Sequence, residues 1–296
     1  MSTTSPFGRL LTAMVSPMRP DGSLDLDGAR RLVEHLIDTG HDGIVVNGTT
    51  GESATLSDDE SIEMVRLVAE VADDRAAVVA GVGSNATAHS VEMARRSKDA
   101  GATGLLLVSP YYNKPTQAGL VAHCRAVAEV TDLPIMLYDI PSRTGIPFAF
   151  DTLIELATVP TIVAVKDAKG SPWETTKVMA ATDLLVFSGA DETNLPWLAL
   201  GAIGVVSVVG HVAGREYAAM IEAVDRGDLD AARAVHRRMI PAVEAIMSPS
   251  QGAIMAKAAL VEVGVIEHAT VRLPLVESPA EHIEALRAGL KESGLL

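Results

Sequence analysis

The sequence predicts a (β/α)8 barrel with a C-terminal helical appendage, and three observations carry the prediction. Eight short apolar runs are spread between residues 9 and 210, each bounded by Gly, Pro, Asn or Asp. Amphipathic helical segments lie between them. From about residue 226 the strand-like runs stop and only helical patterns follow. Continuous apolar runs of this length suit strands covered on both faces, which is the condition of parallel sheets. Alternation with helices then favours a closed barrel or a doubly wound sheet. No glycine fingerprint for a dinucleotide follows the first run, and "GVGSNA" resembles a phosphate loop only weakly, so the barrel is preferred.

In chain order the predicted strands are "RLLTAMVSP" (9–17), "GIVVNG" (43–48), "AAVVAGVG" (76–83), "GLLLVSP" (104–110), "PIMLYDI" (134–140), "TIVAVKD" (161–167), "LLVFSG" (184–189) and "GVVSVVG" (204–210). Among the helices, "LDGARRLVEHLIDTG" has one apolar face. "SDDESIEMVRLVAEVAD" opens with Ser57 and Glu60 at capping-box spacing, its acids on the positive end of the helix dipole. "NATAHSVEMARRSKDAG" is expected to start at a capping Asn85 and stop at Gly101. Three last helices are read in "DLDAARAVHRRMIPAVEAIM", "GAIMAKAALVEVG" and "PAEHIEALRAGLKESG", with a kink expected at Pro241. No low-complexity linker intervenes, so 1–225 is taken as the barrel and 226–296 as helices packed on it.

Of the 296 residues 48% are hydrophobic and 21% charged, the composition of a globular chain with a substantial core. The net charge of −14, without a Lys/Arg cluster beyond a dipeptide, argues against nucleic acid or an anionic membrane as partner. An anionic substrate would need a local cation. The single cysteine, Cys124, fits a reducing cytoplasm. The N-terminal "MSTTSPFGRLLTAMVSP" has no basic region followed by a long apolar one and reads as mature protein, and no run approaches the roughly 20 apolar residues of a membrane helix. The eight histidines show neither H-x-x-x-H nor H-E-x-x-H spacing and no G-x-S-x-G elbow is present, so neither a metal nor a serine hydrolase centre is expected.

Reactive residues of such barrels sit at the C-terminal ends of the strands. Those ends carry Gly48-Thr49-Thr50-Gly51-Glu52, then Tyr111-Tyr112-Asn113, then Tyr138 and Arg143, then Lys166. Lysine is rarely buried unpaired, and a desolvated lysine loses its proton more readily and becomes a nucleophile. Thr49 could hydrogen-bond a tyrosine hydroxyl, the "GTTGE" turn offers backbone N–H groups to a carboxylate, and Arg143 supplies a forked cation. Each has a plainer reading. Lys166 could emerge into solvent where its strand ends, Thr49-Thr50 could be a tight turn, Tyr138 could be packing, and Arg143 a solvated loop cation. Their gathering on one rim favours a site, because packing accidents should scatter over both ends of the barrel.

Together "GTTGES", "SPYYNKP", "YDIPSRTG" and "VAVKDAKG", in this order and over nearly the whole chain, resemble the dihydrodipicolinate synthase branch of the pyruvate-dependent class I aldolases. The resemblance implies no external cofactor, with Lys166 forming a Schiff base to pyruvate and the resulting enamine attacking L-aspartate 4-semialdehyde. The product would be 4-hydroxy-tetrahydrodipicolinate, on the way to diaminopimelate and lysine. It implies a proton relay of Thr49, Tyr138 and Tyr112, the last reaching into a neighbouring subunit. Thr50 would hold the pyruvate carboxylate, Arg143 the semialdehyde, and Val206 would place a carbonyl near the lysine. The implied assembly is a homotetramer, a dimer of tight dimers.

Two positions depart from the pattern. Asp139 stands where many relatives have Asn, and little change in reaction type is expected from it. The resemblance also implies a lysine-binding cleft at Ser53, Ala54, Asn85 and Tyr111, with further groups at Asp58, Ser61 and His89. Here Asp58 and Ser61 replace histidines common in inhibited relatives, and His89 replaces a glutamate that would pair with lysine's ammonium. Weak or absent lysine inhibition is the expectation. The alternatives are a sugar-acid lyase of the same lysine chemistry and a non-catalytic barrel that binds a keto acid. Thr49-Thr50 and Arg143 speak against the first, and the intact lysine and relay against the second.

Overall fold

The computed structural model describes residues 5–296, so the first four residues of the N-terminal reading lie outside it. Eight parallel strands close into a barrel in sequence order: β1 (Leu10–Ala13), β2 (Gly43–Val46), β3 (Ala77–Gly81), β4 (Gly104–Val108), β5 (Ile135–Asp139), β6 (Ile162–Asp167), β7 (Leu185–Ser188) and β8 (Gly204–Ser207). The last pairs with the first through Leu10↔Val205, Leu11↔Val206 and Thr12↔Ser207, which rules out an open doubly wound sheet. Every predicted run contains its strand.

The barrel helices are α1 (Leu26–Asp38), α2 (Asp58–Ala72), α3 (Thr87–Asp99), α4 (Gln117–Ala128), α5 (Pro141–Thr144), α6 (Phe150–Leu156), α7 (Pro172–Ala181), α8 (Asn194–Leu200) and α9 (Gly210–Asp225). The C-terminal helices are α10 (Leu229–Met247), α11 (Gly252–Glu262) and α12 (Ala280–Glu292). The capping box of α2 is formed in both directions, Ser57 accepting from the Glu60 N–H and Glu60 from the Ser57 N–H. The expectation for α3 is corrected. Its cap is Ala86, without a side-chain hydrogen bond, because the chain turns one residue later than the Asn85 pattern suggests. The local polar work falls to Ser84, whose hydroxyl accepts from the Ala86 N–H, and to Ser90, which accepts from the Ser84 N–H. Pro241 lies inside α10, which continues through it, and the Ser293 hydroxyl accepts the next N–H, that of Ala242, at 3.0 Å. A break in helical dihedrals falls within α9 at Ala213.

Strand alternation divides the core. One set of side chains fills the barrel interior, among them Leu11, Val45, Val79, Leu106, Met136, Ala164, Phe187 and Val206. The other faces the helices, through residues such as Ile44, Val78, Leu107, Leu137, Val165 and Val186. Phe7 plugs the N-terminal end, edge-on to Phe187 with centroids 6.2 Å apart. Gly104 admits it, since a Cβ there would stand 2.7 Å from the Phe7 ring. The C-terminal helices share a separate cluster with α9 and with Leu10 and Val205 of the barrel wall. The end opposite Phe7 is left for chemistry.

Candidate active site

On β6 the interior positions alternate through Ala164 to Lys166, so the same period that fills the core carries an amine to its upper layer. Lys166 is 4% exposed, against the plainer reading of a lysine emerging into solvent. Its register partner on β5 is Tyr138, and Nζ lies 4.1 Å from the centre of the Tyr138 ring. Among the described residues the ammonium has neither a hydrogen bond nor an ion pair. Burial pulls it down from 10.5 to about 8, opposed by the charge of Asp191 and assisted by that of Arg143. Burial likewise pushes the Tyr138 hydroxyl up to about 12, with Arg143 pulling it the other way.

Above this pair opens a cavity of about 460 Å3. It brings together Thr49, Ser53 and Ala54 after β2, Tyr111 and Tyr112 after β4, Tyr138 of β5 and Arg143 of α5. Lys166 packs against Tyr138 without lining the cavity, and Thr50 and Val206 are likewise buried and outside its lining. Gly81 opens the space where the loops meet, because a Cβ there would stand 2.3 Å from the Asn47 carbonyl oxygen.

The Gly48–Glu52 turn is tied by Gly51 N–H to Gly48 O at 3.0 Å and Glu52 N–H to Thr49 O at 3.2 Å. Ser16 donates to the Gly51 carbonyl at 2.7 Å. Among the described residues, the N–H groups of Thr49 and Thr50 donate to nothing, which leaves two adjacent donors for an anion. Arg143, on the one-turn helix α5 that ends at Gly145 (φ +82°), has no carboxylate within ion-pair distance among the described residues. Its guanidinium fork therefore stands at the cavity rim without an anionic partner, in a chain of net charge −14. Tyr112 is 88% exposed at φ +74°, an uncommon backbone for an aromatic residue. No hydrogen bond joins Thr49, Tyr138 and Tyr112 within one protomer.

The remaining predicted positions do not line the cavity. Asp58 and His89 pair with each other at 2.9 Å, both half-exposed, and the Asn85 carbonyl accepts from Asn113 at 2.9 Å. Asp139, next to Tyr138 on the opposite strand face, is buried against Lys169 at 3.3 Å and accepts from the Phe148 N–H at 3.3 Å. Burial raises its carboxyl to about 6 despite Lys169.

The sequence reading missed two features. Asp191, 2% exposed after β7, accepts from Ser207, from Asn194 at 3.3 Å and from the N–H groups of Val208 (2.8 Å) and Val209 (3.1 Å). It thereby fixes the end of β8 next to Val206 and supplies the anion Lys166 feels. Nothing in "GADETN" distinguishes it from a loop acid. The second is Lys257 of α11, wholly buried against Glu52. Its signal, a lysine inside "GAIMAKAALVE", was the same as that of Lys166.

Comparison with known proteins places the chain among relatives. The family model described as dihydrodipicolinate synthetase matches residues 6–293. The 4-hydroxy-tetrahydrodipicolinate synthase of Kineococcus radiotolerans is 54% identical over 98% of this chain and 94% of its own. The DHDPS of Cyanidioschyzon merolae, solved with lysine bound, superposes with a TM-score of 0.95 at 42% identity, covering 99% of this chain and 100% of that one. A solved monomeric dihydrodipicolinate synthase variant superposes at 0.94 with 35% identity over 98% of both chains.

Proposed function

The chain belongs to the dihydrodipicolinate synthetase family, and on that premise we infer that it condenses pyruvate with L-aspartate 4-semialdehyde to 4-hydroxy-tetrahydrodipicolinate, serving diaminopimelate and lysine synthesis. It is a Schiff-base-forming lyase of the class I aldolase type. The observation that carries the residue assignment is Lys166, buried and unpaired at the end of β6, where burial lowers its amine to about 8.

The neutral Lys166 amine attacks C2 of pyruvate, and loss of water gives the imine. A methyl proton leaves to give the enamine, whose carbon bonds to the aldehyde carbon as the aldehyde oxygen takes a proton. The substrate's own amine then attacks C2, closes the ring and releases Lys166. Tyr138, against the amine, is the group that handles these protons, with Thr49 and a neighbour's Tyr112 connecting it to solvent. The exposure and strained backbone of Tyr112 support a role completed across a subunit interface. The free amides of Thr49 and Thr50 with the Thr50 hydroxyl hold the keto acid's carboxylate, Arg143 holds the semialdehyde's, and Val206 is assigned the carbonyl that serves the amine. No external cofactor enters these steps.

The substrates are small anions, and neither nucleic acid nor a membrane has a place in this reading. The assembly is a homotetramer in the cytoplasm, with residues 226–296 packed on the 1–225 barrel as part of each protomer. Among the described residues no helix is long and apolar enough to cross a membrane. Lysine is a weak inhibitor or none: at Ser53, Ala54, Asn85 and Tyr111 the cleft keeps its polar frame, but His89 is engaged with Asp58 and offers no anion to a second ammonium.

Borohydride reduction with pyruvate, followed by intact-mass measurement, tests the assignment. Wild type should gain one pyruvyl group per chain and Lys166→Ala none. An unmodified wild type would remove the aldolase reading.

A further inference from the structure

Glu52 closes the GTTGE turn in a left-handed backbone conformation, φ +57°, unusual for a residue with a side chain. Its carboxylate is buried and both oxygens are engaged from the C-terminal part of the chain. Oε1 accepts from the Lys257 ammonium of α11, and Oε2 accepts from the Arg272 N–H at 2.9 Å. Lys257 also donates to the Thr270 carbonyl at 2.7 Å. The Arg272 guanidinium reaches Gly22 O at 2.9 Å, Thr55 O at 2.8 Å and Glu60 Oε2 at 2.8 Å. It therefore ties the loop after β1, the loop after β2 and the first turn of α2 to one segment, 220 residues distant from Glu52 in sequence.

Two consequences follow for the turn. The turn's own acceptors, Gly48 O and Thr49 O, are taken by the N–H groups of Gly51, Ser53 and Glu52, while the Thr49 and Thr50 amides have no partner among the described residues. In addition, the carboxylate of Glu52 stands one residue beyond Gly51, close to where another carboxylate must bind. Two cations, Lys257 and Arg272, face Glu52 and Glu60, so the Glu52 carboxylate is paired before another anion arrives, with Glu277 acting on Lys257 from the far side of Thr270. A buried pair of this kind is weak as a source of stability and better suited to fixing one geometry.

We propose that Glu52, held by the Lys257 ammonium and the Arg272 backbone N–H, is a positioning residue that locks the Gly48–Glu52 turn in the form that receives the keto acid's carboxylate, which makes the C-terminal helical region a working part of the pyruvate site. The inference rests on the proposed pyruvate chemistry. The same cavity supports the link, since Gln251, Pro274 and Leu275 of the C-terminal region line it together with Thr49 and Glu52.

The test compares wild type, Glu52→Gln and Arg272→Lys in the full-length enzyme, with kcat expressed per site trapped by borohydride and pyruvate. Loss of positioning raises the pyruvate KM of Glu52→Gln about tenfold, and leaves the semialdehyde KM within about twofold. Arg272→Lys keeps the charge but loses the fork, and should raise the pyruvate KM about threefold. Arg272→Lys carries the test alone if Glu52→Gln does not fold, since it keeps the backbone N–H to Glu52 and loosens only the guanidinium's hold on Thr55 and Glu60, just beyond the turn. A trapped adduct in wild type, with pyruvate KM unchanged in the folded variants and only the number of sites reduced, means the network holds the fold and nothing more. No adduct in wild type removes the pyruvate reading and this inference with it.

Discussion

Two lysines of this chain are buried to almost the same degree, and they do opposite things. Lys166 is 4% exposed and Lys257 not at all. Both pay desolvation, and burial lowers both. They differ in what surrounds the ammonium. Lys257 donates to a carboxylate and a carbonyl, and Glu52 pulls its proton affinity back up. Lys166 has a tyrosine ring and an anion it cannot reach, for the Asp191 carboxylate is already taken by Ser207, Asn194 and two backbone N–H groups. Burial alone therefore does not make a reactive amine. Burial without a free acceptor is what sets Lys166 apart as the proposed nucleophile.

Lys166→Met should cost activity on the order of 10⁴-fold or more, the scale of removing a covalent nucleophile. The same substitution should stabilise the fold at pH 7. The folded amine, near 8, sheds its proton before the unfolded one, near 10.5. The unfolded chain therefore binds more protons between those values, and stability rises with pH across that window. Below pH 8 the whole penalty applies, about 3 kcal/mol for a shift of this size. Thermal unfolding at pH 7 should show Lys166→Met melting higher than wild type, with the gap narrowing toward pH 10. A lower melting point at pH 7 would show that Lys166 is better solvated or paired than its surroundings indicate.

At the other lysine the identical change should have the opposite sign. Lys257→Met leaves Glu52 buried without its cation, and breaking such a pair costs about 3–5 kcal/mol. Chemical unfolding of the two methionine variants side by side measures the contrast directly. Equal shifts in the same direction would abolish the distinction drawn here between a paired and an unpaired lysine. A smaller effect is expected at the ring facing Lys166. Tyr138→Phe keeps the packing and removes the hydroxyl, so kcat should fall by about 10²–10⁴ while the pyruvyl adduct still forms. Near-normal turnover would move the proton transfers to another group.

Much of this was legible in the sequence because the relevant signals are local. The strands show themselves as apolar runs between turn residues, and strand period explains why Lys166 and Tyr138 share a face once β5 and β6 are neighbours. The rim residues were found because strand ends are points on a chain as well as in space. What escaped was non-local. Lys257 carries the same written signature as Lys166, yet its partner lies 205 residues away inside a motif already read for its threonines. Asp191 is an ordinary loop acid until four donors converge on it. Asn85 misled for the converse reason: a good capping residue was present, but tertiary packing of the segment started the helix after Ala86. Sequence says which residues are unusual in their surroundings, and only the fold says which unusual residues have been given partners.

Lys166 must be neutral to attack, so the rate of adduct formation with pyruvate should rise about tenfold per pH unit below about 8 and level off above it. Arg143 is one of the two charges acting on that amine, and being a cation it favours the neutral form. Arg143→Met should therefore move the limb upward, by less than about one unit because Arg143 is exposed to solvent and burial remains the main cause. Adduct rates across pH 6 to 10 for both proteins read the shift without the second substrate, whose binding Arg143 also serves. A limb that stays in place, or moves down, would mean that the low proton affinity of Lys166 belongs to burial alone, and that the guanidinium at the rim acts on the incoming anion and not on the amine beneath it.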